Sequence, residues 1–168
     1  MIRVITSNIV RFFLILLIQV LIMDNIRLGG LFNPYFYTLF ILLLPFETPG
    51  WLLLLSAFLL GTSMDVVNNT PGMHTMASLL MAFVRPYLLN LSAPREGYDT
   101  ETYPRIYFMG FSWFLKYTLV LVFIHHLLLF YLEAFTFTNF FFTFLRVILS
   151  TALTTSTILL SQFFIFRK

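Results

Sequence analysis

The sequence predicts an all-α integral membrane protein, and three observations carry that reading. Hydrophobic residues make up 60% of the 168 and charged residues only 10%, whereas a soluble domain carries about 25% charged residues. Mean hydropathy is +0.91. The apolar residues come in long runs with no period-two alternation. Backbone groups in lipid must pair internally, which leaves helices or a closed barrel. Runs that are apolar on every side select helices over barrel strands.

A spanning helix needs roughly 17–25 mostly apolar residues, and six runs meet or approach that length. They are residues 5–23, 28–44, 50–64, 72–91, 106–131 and 137–166, with Pro45 stopping the second and Asp65 the third. The second and third are short and share the brief turn Phe46-Glu47-Thr48-Pro49, so a re-entrant pair is the alternative there. Arg3 and Arg11 precede the apolar stretch Phe12 to Met23, as in a signal peptide. No small-residue cleavage site follows, since the next residues are Asp24, Asn25 and Ile26, so the run reads as a retained span.

Orientation follows from Lys and Arg. With the N-terminus in the cytoplasm, the inside segments hold Arg3, Arg11, Arg95, Arg105, Arg167 and Lys168, with Arg85 near that side, and the outside holds Arg27. The expected topology is N-in and C-in. The chain forms a single transmembrane domain over residues 1–168, with a cytoplasmic loop at about 92–105, where Pro94, Gly97 and Pro104 break any helix. The Phe-rich stretch 135–144 reads as an aromatic belt at the opposite interface. The chain has no cysteine, which excludes disulfides and Cys-based metal sites. The net charge of +3 comes without a basic run, so nucleic acid is not an expected partner.

Polar groups inside a membrane usually face the protein interior. Asp65 ends the third run one turn after Gly61, a small residue that lets a neighbouring helix approach. Asp65 either caps or pairs within the bundle or serves a partner directly. His74 and Arg85 share one face of the fourth run, three turns apart. His74 reads as a buried hydrogen-bonding group and Arg85, before Pro86, as an interfacial anchor at a helix break. Lys116 falls at mid-depth, either snorkelling or meeting carbonyls, Gln19 or a partner. Arg146 heads a polar stripe with Ser150, Thr157 and Ser161, and Asp65 or Glu133 is its expected counter-ion. His125 and His126 point about 100° apart, and with His74 they lack the further ligands a zinc site needs. No Gly-rich phosphate loop, HExxH or GxSxG is present, so neither an enzyme nor a cofactor is expected.

The stretch from Gly61 through Asp65 to Pro71, Gly72, His74 and Ala77 resembles MreD, the rod shape-determining membrane protein family of bacteria. That family ends one helix with Gly-x-x-x-Asp and opens the next with a Gly and a small residue, the positions of Gly61, Asp65, Gly72 and Ala77. Phe83-Val84-Arg85-Pro86-Tyr87 and Ala93-Pro94-Arg95-Glu96-Gly97-Tyr98-Asp99 look like the branch found in Bacteroidetes-type bacteria. The resemblance implies a non-enzymatic, multi-pass scaffold of the inner membrane. Its implied partners are an MreC-like protein, the elongation machinery of MreB, RodA, RodZ and a class B penicillin-binding transpeptidase, and membrane lipids. The implied role is regulation of cell shape and of lateral peptidoglycan biosynthesis in the elongasome. The implied fold is similar to the substrate-binding subunits of energy-coupling-factor vitamin transporters, and such a subunit is the alternative function. Against it, the first run lacks the Ala-x-x-x-Ala contacts typical of those subunits.

Overall fold

The computed structural model describes residues 2–26, 33–98, 102–135 and 139–165, and every regular element among them is helical. Helix α1 is Ile2–Leu21, followed by a 3-10 turn at Met23–Asn25. A second 3-10 turn, Phe36–Thr38, leads into the four-residue α2, Leu39–Leu42. Then come α3 (Gly50–Asn68), α4 (Met73–Leu91), the short α5 (Ile106–Met109), α6 (Phe111–Ala134) and α7 (Phe140–Ile165). Four stretches among the described residues are long and apolar enough to cross a membrane: Thr6–Asn25, α3, α6 and Phe140–Phe164. At 19 residues α4 is as long as α3. It carries His74, Arg85 and Asn90, which make it less apolar.

Local chemistry sets the helix ends. Pro49 precedes α3, where its fixed backbone suits a helix start. Asn69 closes α3 in the left-handed region (φ 53°), a conformation Asn tolerates better than most side chains. Gly72 (φ 79°) then turns the chain into α4. Gly110 adopts φ 80° and ψ 161°, which an L side chain rarely reaches, and this separates α5 from α6.

These ends revise three expected spans. The third run does not stop at Asp65, because α3 continues to Asn68 and the carboxylate is consumed inside the turn. The fifth is divided at Gly110, so its long helix starts at Phe111 and reaches Ala134. Residues 28–32 of the second run lie outside the described residues. Its described part, 33–44, holds the 3-10 turn and α2 in place of one continuous helix.

In space α3 packs on α4, α4 on α6, and α6 on α7, while α1 touches α2, α3 and the 3-10 turn before α2. Residues 35–44 are all buried and form the centre of the molecule. The short helical turns of this segment sit inside the bundle, with the longer helices around them. The far faces of those helices are apolar and exposed, with Phe13 and Leu17 on α1, Val66 on α3, and Phe141 and Phe164 on α7. That is the distribution expected of a bundle whose solvent is hydrocarbon.

Candidate functional site

The turn between α3 and α4 is built on one carboxylate. Asp65 Oδ1 accepts from the backbone N–H of His74 (2.9 Å) and from the Thr70 hydroxyl (2.7 Å). Its Oδ2 accepts from the N–H of Thr75 (3.0 Å) and the Thr75 hydroxyl (2.6 Å). The first amides of a helix have no partner within it, and Gly72 at the N-cap has no side chain to offer. Asp65, reaching over from α3, supplies the missing acceptor. A negative charge there also suits the positive end of the α4 dipole. Gly61 makes the approach possible, since a Cβ on it would fall 2.4 Å from Thr75 Cα and 2.8 Å from the His74 carbonyl oxygen. Ala77, fully buried, continues the tight face of α4.

Two polar layers sit at opposite ends of the buried run 35–44. The first is a histidine layer. The Tyr37 hydroxyl lies 2.9 Å from His74 Nδ1 on α4 and 2.7 Å from His125 Nε2 on α6. His126 faces α7, with Nδ1 3.2 Å from the Thr151 hydroxyl and Nε2 3.5 Å from that of Thr154. The Tyr35 ring packs against all three imidazoles at centroid distances of 5.2–6.3 Å. The backbone is pinned here too. Tyr35 N–H donates to the Thr154 hydroxyl (3.0 Å) and Tyr37 N–H to Gln19 Oε1 (3.0 Å), and Gln19 Nε2 donates to the Pro34 carbonyl (3.1 Å).

The second is an arginine layer, which closes the C-terminal end of α2. Arg85, only 1% exposed, donates through Nη2 to the carbonyls of Leu44 and Pro45 and through Nε to the Tyr117 hydroxyl (2.8 Å). Tyr117 in turn donates to the Leu42 carbonyl (3.1 Å), and Arg11 Nη1 donates to that of Leu43 (3.2 Å). The last carbonyls of a helix are unpaired and carry partial negative charge, so cations belong there. Beneath this layer Phe46 stacks on Tyr98 with centroids 4.1 Å apart, and Trp113 stacks on Tyr117 at 4.9 Å. The Tyr98 hydroxyl donates to the Leu89 carbonyl (2.8 Å), and burial raises its phenol above the ordinary range, keeping it a donor. Along the helices, buried Met81 and Ala82 of α4 and Leu121 and Val122 of α6 separate the layers.

Several sequence expectations change here. Arg85 is not an interfacial anchor, and Pro86 does not break the helix, since α4 runs through it to Leu91. The carbonyls at the end of α2 draw the guanidinium inward. Lys116 lies in the second turn of α6 and is exposed on the outside of the bundle. Gln19 is engaged with Asp24, Pro34 and Tyr37. Arg146 meets Glu133 in a paired contact, 3.2 Å through each guanidinium nitrogen, and covers the Phe130 ring at 4.5 Å. Asp65, its other expected partner, is engaged in the α3–α4 turn. The buried stripe of α7 holds Ser150 as expected, but also Thr143, Thr151, Thr154, Thr155 and Gln162. Thr157 and Ser161 instead bond the carbonyls of Thr154 and Ile158.

Sequence reasoning missed Tyr35, Tyr37 and Tyr117, and gave Gln19 only as a partner for Lys116. Tyrosines inside an apolar run are an available signal, because a buried hydroxyl needs a partner. Among the described residues, no group of three or more His, Asp or Glu is arranged to hold a metal ion. No family model, curated protein or solved structure matches this chain.

Proposed function

We propose that this chain is a non-enzymatic membrane scaffold of the MreD kind, which partners an MreC-like protein in the bacterial cell-wall elongation machinery. In this reading it lies in the inner membrane, helps maintain rod shape and directs lateral peptidoglycan synthesis alongside MreB, RodA, RodZ and a class B penicillin-binding transpeptidase. The observation that carries the proposal is the motif from Gly61 to Ala77. Gly61 and Asp65 are matched to the physical demands of one turn: close helix approach at the first, capping of the next helix at the second. A six-crossing, N-in and C-in chain accords with the placement of Lys and Arg in the sequence. The membrane length of α4, set between α3 and α6, supports a fifth crossing beyond the four apolar stretches. The sixth would include the second apolar run, whose described part, the 3-10 turn and α2, is buried in protein, where short helices at membrane depth are tolerated.

A scaffold acts through a firm bundle with an apolar exterior, and close packing of small residues with a few interhelix hydrogen bonds gives that firmness. Against the vitamin-transporter alternative, the first run lacks the Ala-x-x-x-Ala contacts typical of those subunits. The test is depletion of the protein together with affinity purification from membranes. Rounded cells and recovery of an MreC-like protein are expected. Unchanged shape with loss of uptake of one vitamin would overturn the scaffold and favour the transporter subunit.

A further inference from the structure

The histidine layer has a proton count that can be worked out atom by atom. A tyrosine hydroxyl owns one proton and two lone pairs. Two imidazole nitrogens lie on the Tyr37 hydroxyl, so Tyr37 donates to one and must accept from the other. The remaining nitrogen of His125, Nδ1, is buried without a hydrogen-bond partner. A neutral imidazole carries a single N–H. If that proton were on Nδ1, a buried donor would be orphaned, which proteins avoid more strictly than an idle lone pair. The proton of His125 therefore sits on Nε2. The chain runs one way: His125 Nε2–H donates to the Tyr37 oxygen, and Tyr37 O–H donates to His74 Nδ1.

One further group completes the arrangement. Ser78, one turn along α4 from His74, sets its fully buried hydroxyl against that of Tyr37. Yet Ser78 Oγ has no aligned partner. It is a spare acceptor beside a hydroxyl whose proton can rotate.

We infer that His74, Tyr37, His125 and Ser78 form a binding site for one proton, held at His74 Nδ1. Uptake from hydronium forms the Nδ1–H bond of His74 and breaks one O–H bond, leaving water. His74 Nδ1–H then donates to the Tyr37 oxygen, which accepts from both histidines, and the Tyr37 proton swings to Ser78 Oγ. In the loaded state the two imidazole protons that face Tyr37 share its oxygen as acceptor and the Tyr37 proton has Ser78 Oγ, so the run 35–44 gains a second bond to α4. The counter-charge is Asp65, the carboxylate nearest His74 and bonded to its backbone N–H. The other charged or titratable groups facing the layer are Tyr35 within the run, Asp24 after α1, His126 and Glu133 on α6, and Arg146 on α7. Glu133 and Arg146 neutralise each other. Burial opposes the charged imidazole, so the core of the bundle would respond to acid and not to small changes near neutral pH.

Nitrogen-15 NMR of the imidazoles, on the full chain in detergent micelles from pH 8 to pH 4, tests this. At pH 8 His125 is expected as the Nε2–H form and His74 with Nδ1 unprotonated. On acidification one imidazole titrates first, and it is absent from His74→Gln, which keeps an acceptor for Tyr37 but cannot charge. Ser78→Ala removes the spare acceptor and moves that midpoint to lower pH by about one unit, a tenfold loss of proton affinity. Three results would each overturn the site: no imidazole titrating in the range, the first titration persisting in His74→Gln, or an unmoved midpoint in Ser78→Ala.

Discussion

The histidine layer and the arginine layer hold the two ends of the same buried run, and they do so with different chemistry. In the histidine layer side chains bond mainly to side chains, through groups that are both donors and acceptors, such as Tyr37, His74, His125 and Thr154. In the arginine layer permanent donors bond to backbone carbonyls: Arg85 to Leu44 and Pro45, Arg11 to Leu43. A guanidinium offers five donors and no acceptor, so its bonds cannot reverse. The first layer can be rearranged by one proton. The second acts as a fixed clamp on the negative end of a short helix. Fixed charge is placed against backbone carbonyls, and ambivalent groups where the bonding pattern has alternatives.

Four substitutions test that contrast, in falling order of effect. Arg85→Met should be the most damaging. It strips donors from two buried carbonyls and from Tyr117, and bonds to charged groups contribute about 1.5–3 kcal/mol each, so a loss of about 3–5 kcal/mol is expected in denaturant titrations of the micellar protein. A loss under about 1 kcal/mol would show that the clamp is dispensable. Gly61→Ala comes next, because the added methyl meets backbone and not a movable side chain. Overpacking of this kind costs about 1–3 kcal/mol, and cysteine crosslinking between α3 and α4 should show the helices parted.

Tyr37→Phe should cost about 1–2 kcal/mol, since it removes one hydroxyl and leaves the two imidazoles without their bridge. If this change proved more costly than Arg85→Met, the ranking of the layers would be reversed. Glu133→Gln should be mildest, below about 1 kcal/mol, because its pair with Arg146 is partly exposed and such pairs contribute little. Its effect should shrink further at high salt.

The sequence carried some of this plainly. Apolar runs announced α1, α3, α6 and α7, because a helix crossing lipid must be apolar on most sides and long enough. Gly61, Asp65 and Gly72 were also readable, since their meaning is local: a small residue, an acceptor and a turn within a dozen positions. Arg85 was visible as an anomaly but was placed at an interface, because sequence spacing does not show that carbonyls from α2 wait for it. The polar face of α7 was read a fraction of a turn away from its true direction, through Arg146, Thr157 and Ser161. Serine and threonine can satisfy themselves on their own helix, so their presence alone does not mark the buried side. Tyr37 went unnoticed because its partners lie 37 and 88 positions away.

By itself, then, the sequence determined the solvent of this protein and the places where its helices turn. Composition and local spacing decide those, and both are written along the chain. Only the tertiary structure decided that residues 35–44 are the core and that two layers of polar side chains close its ends. A hydrogen bond between distant residues depends on which helices become neighbours, and that is fixed by packing in three dimensions and not by order in the chain.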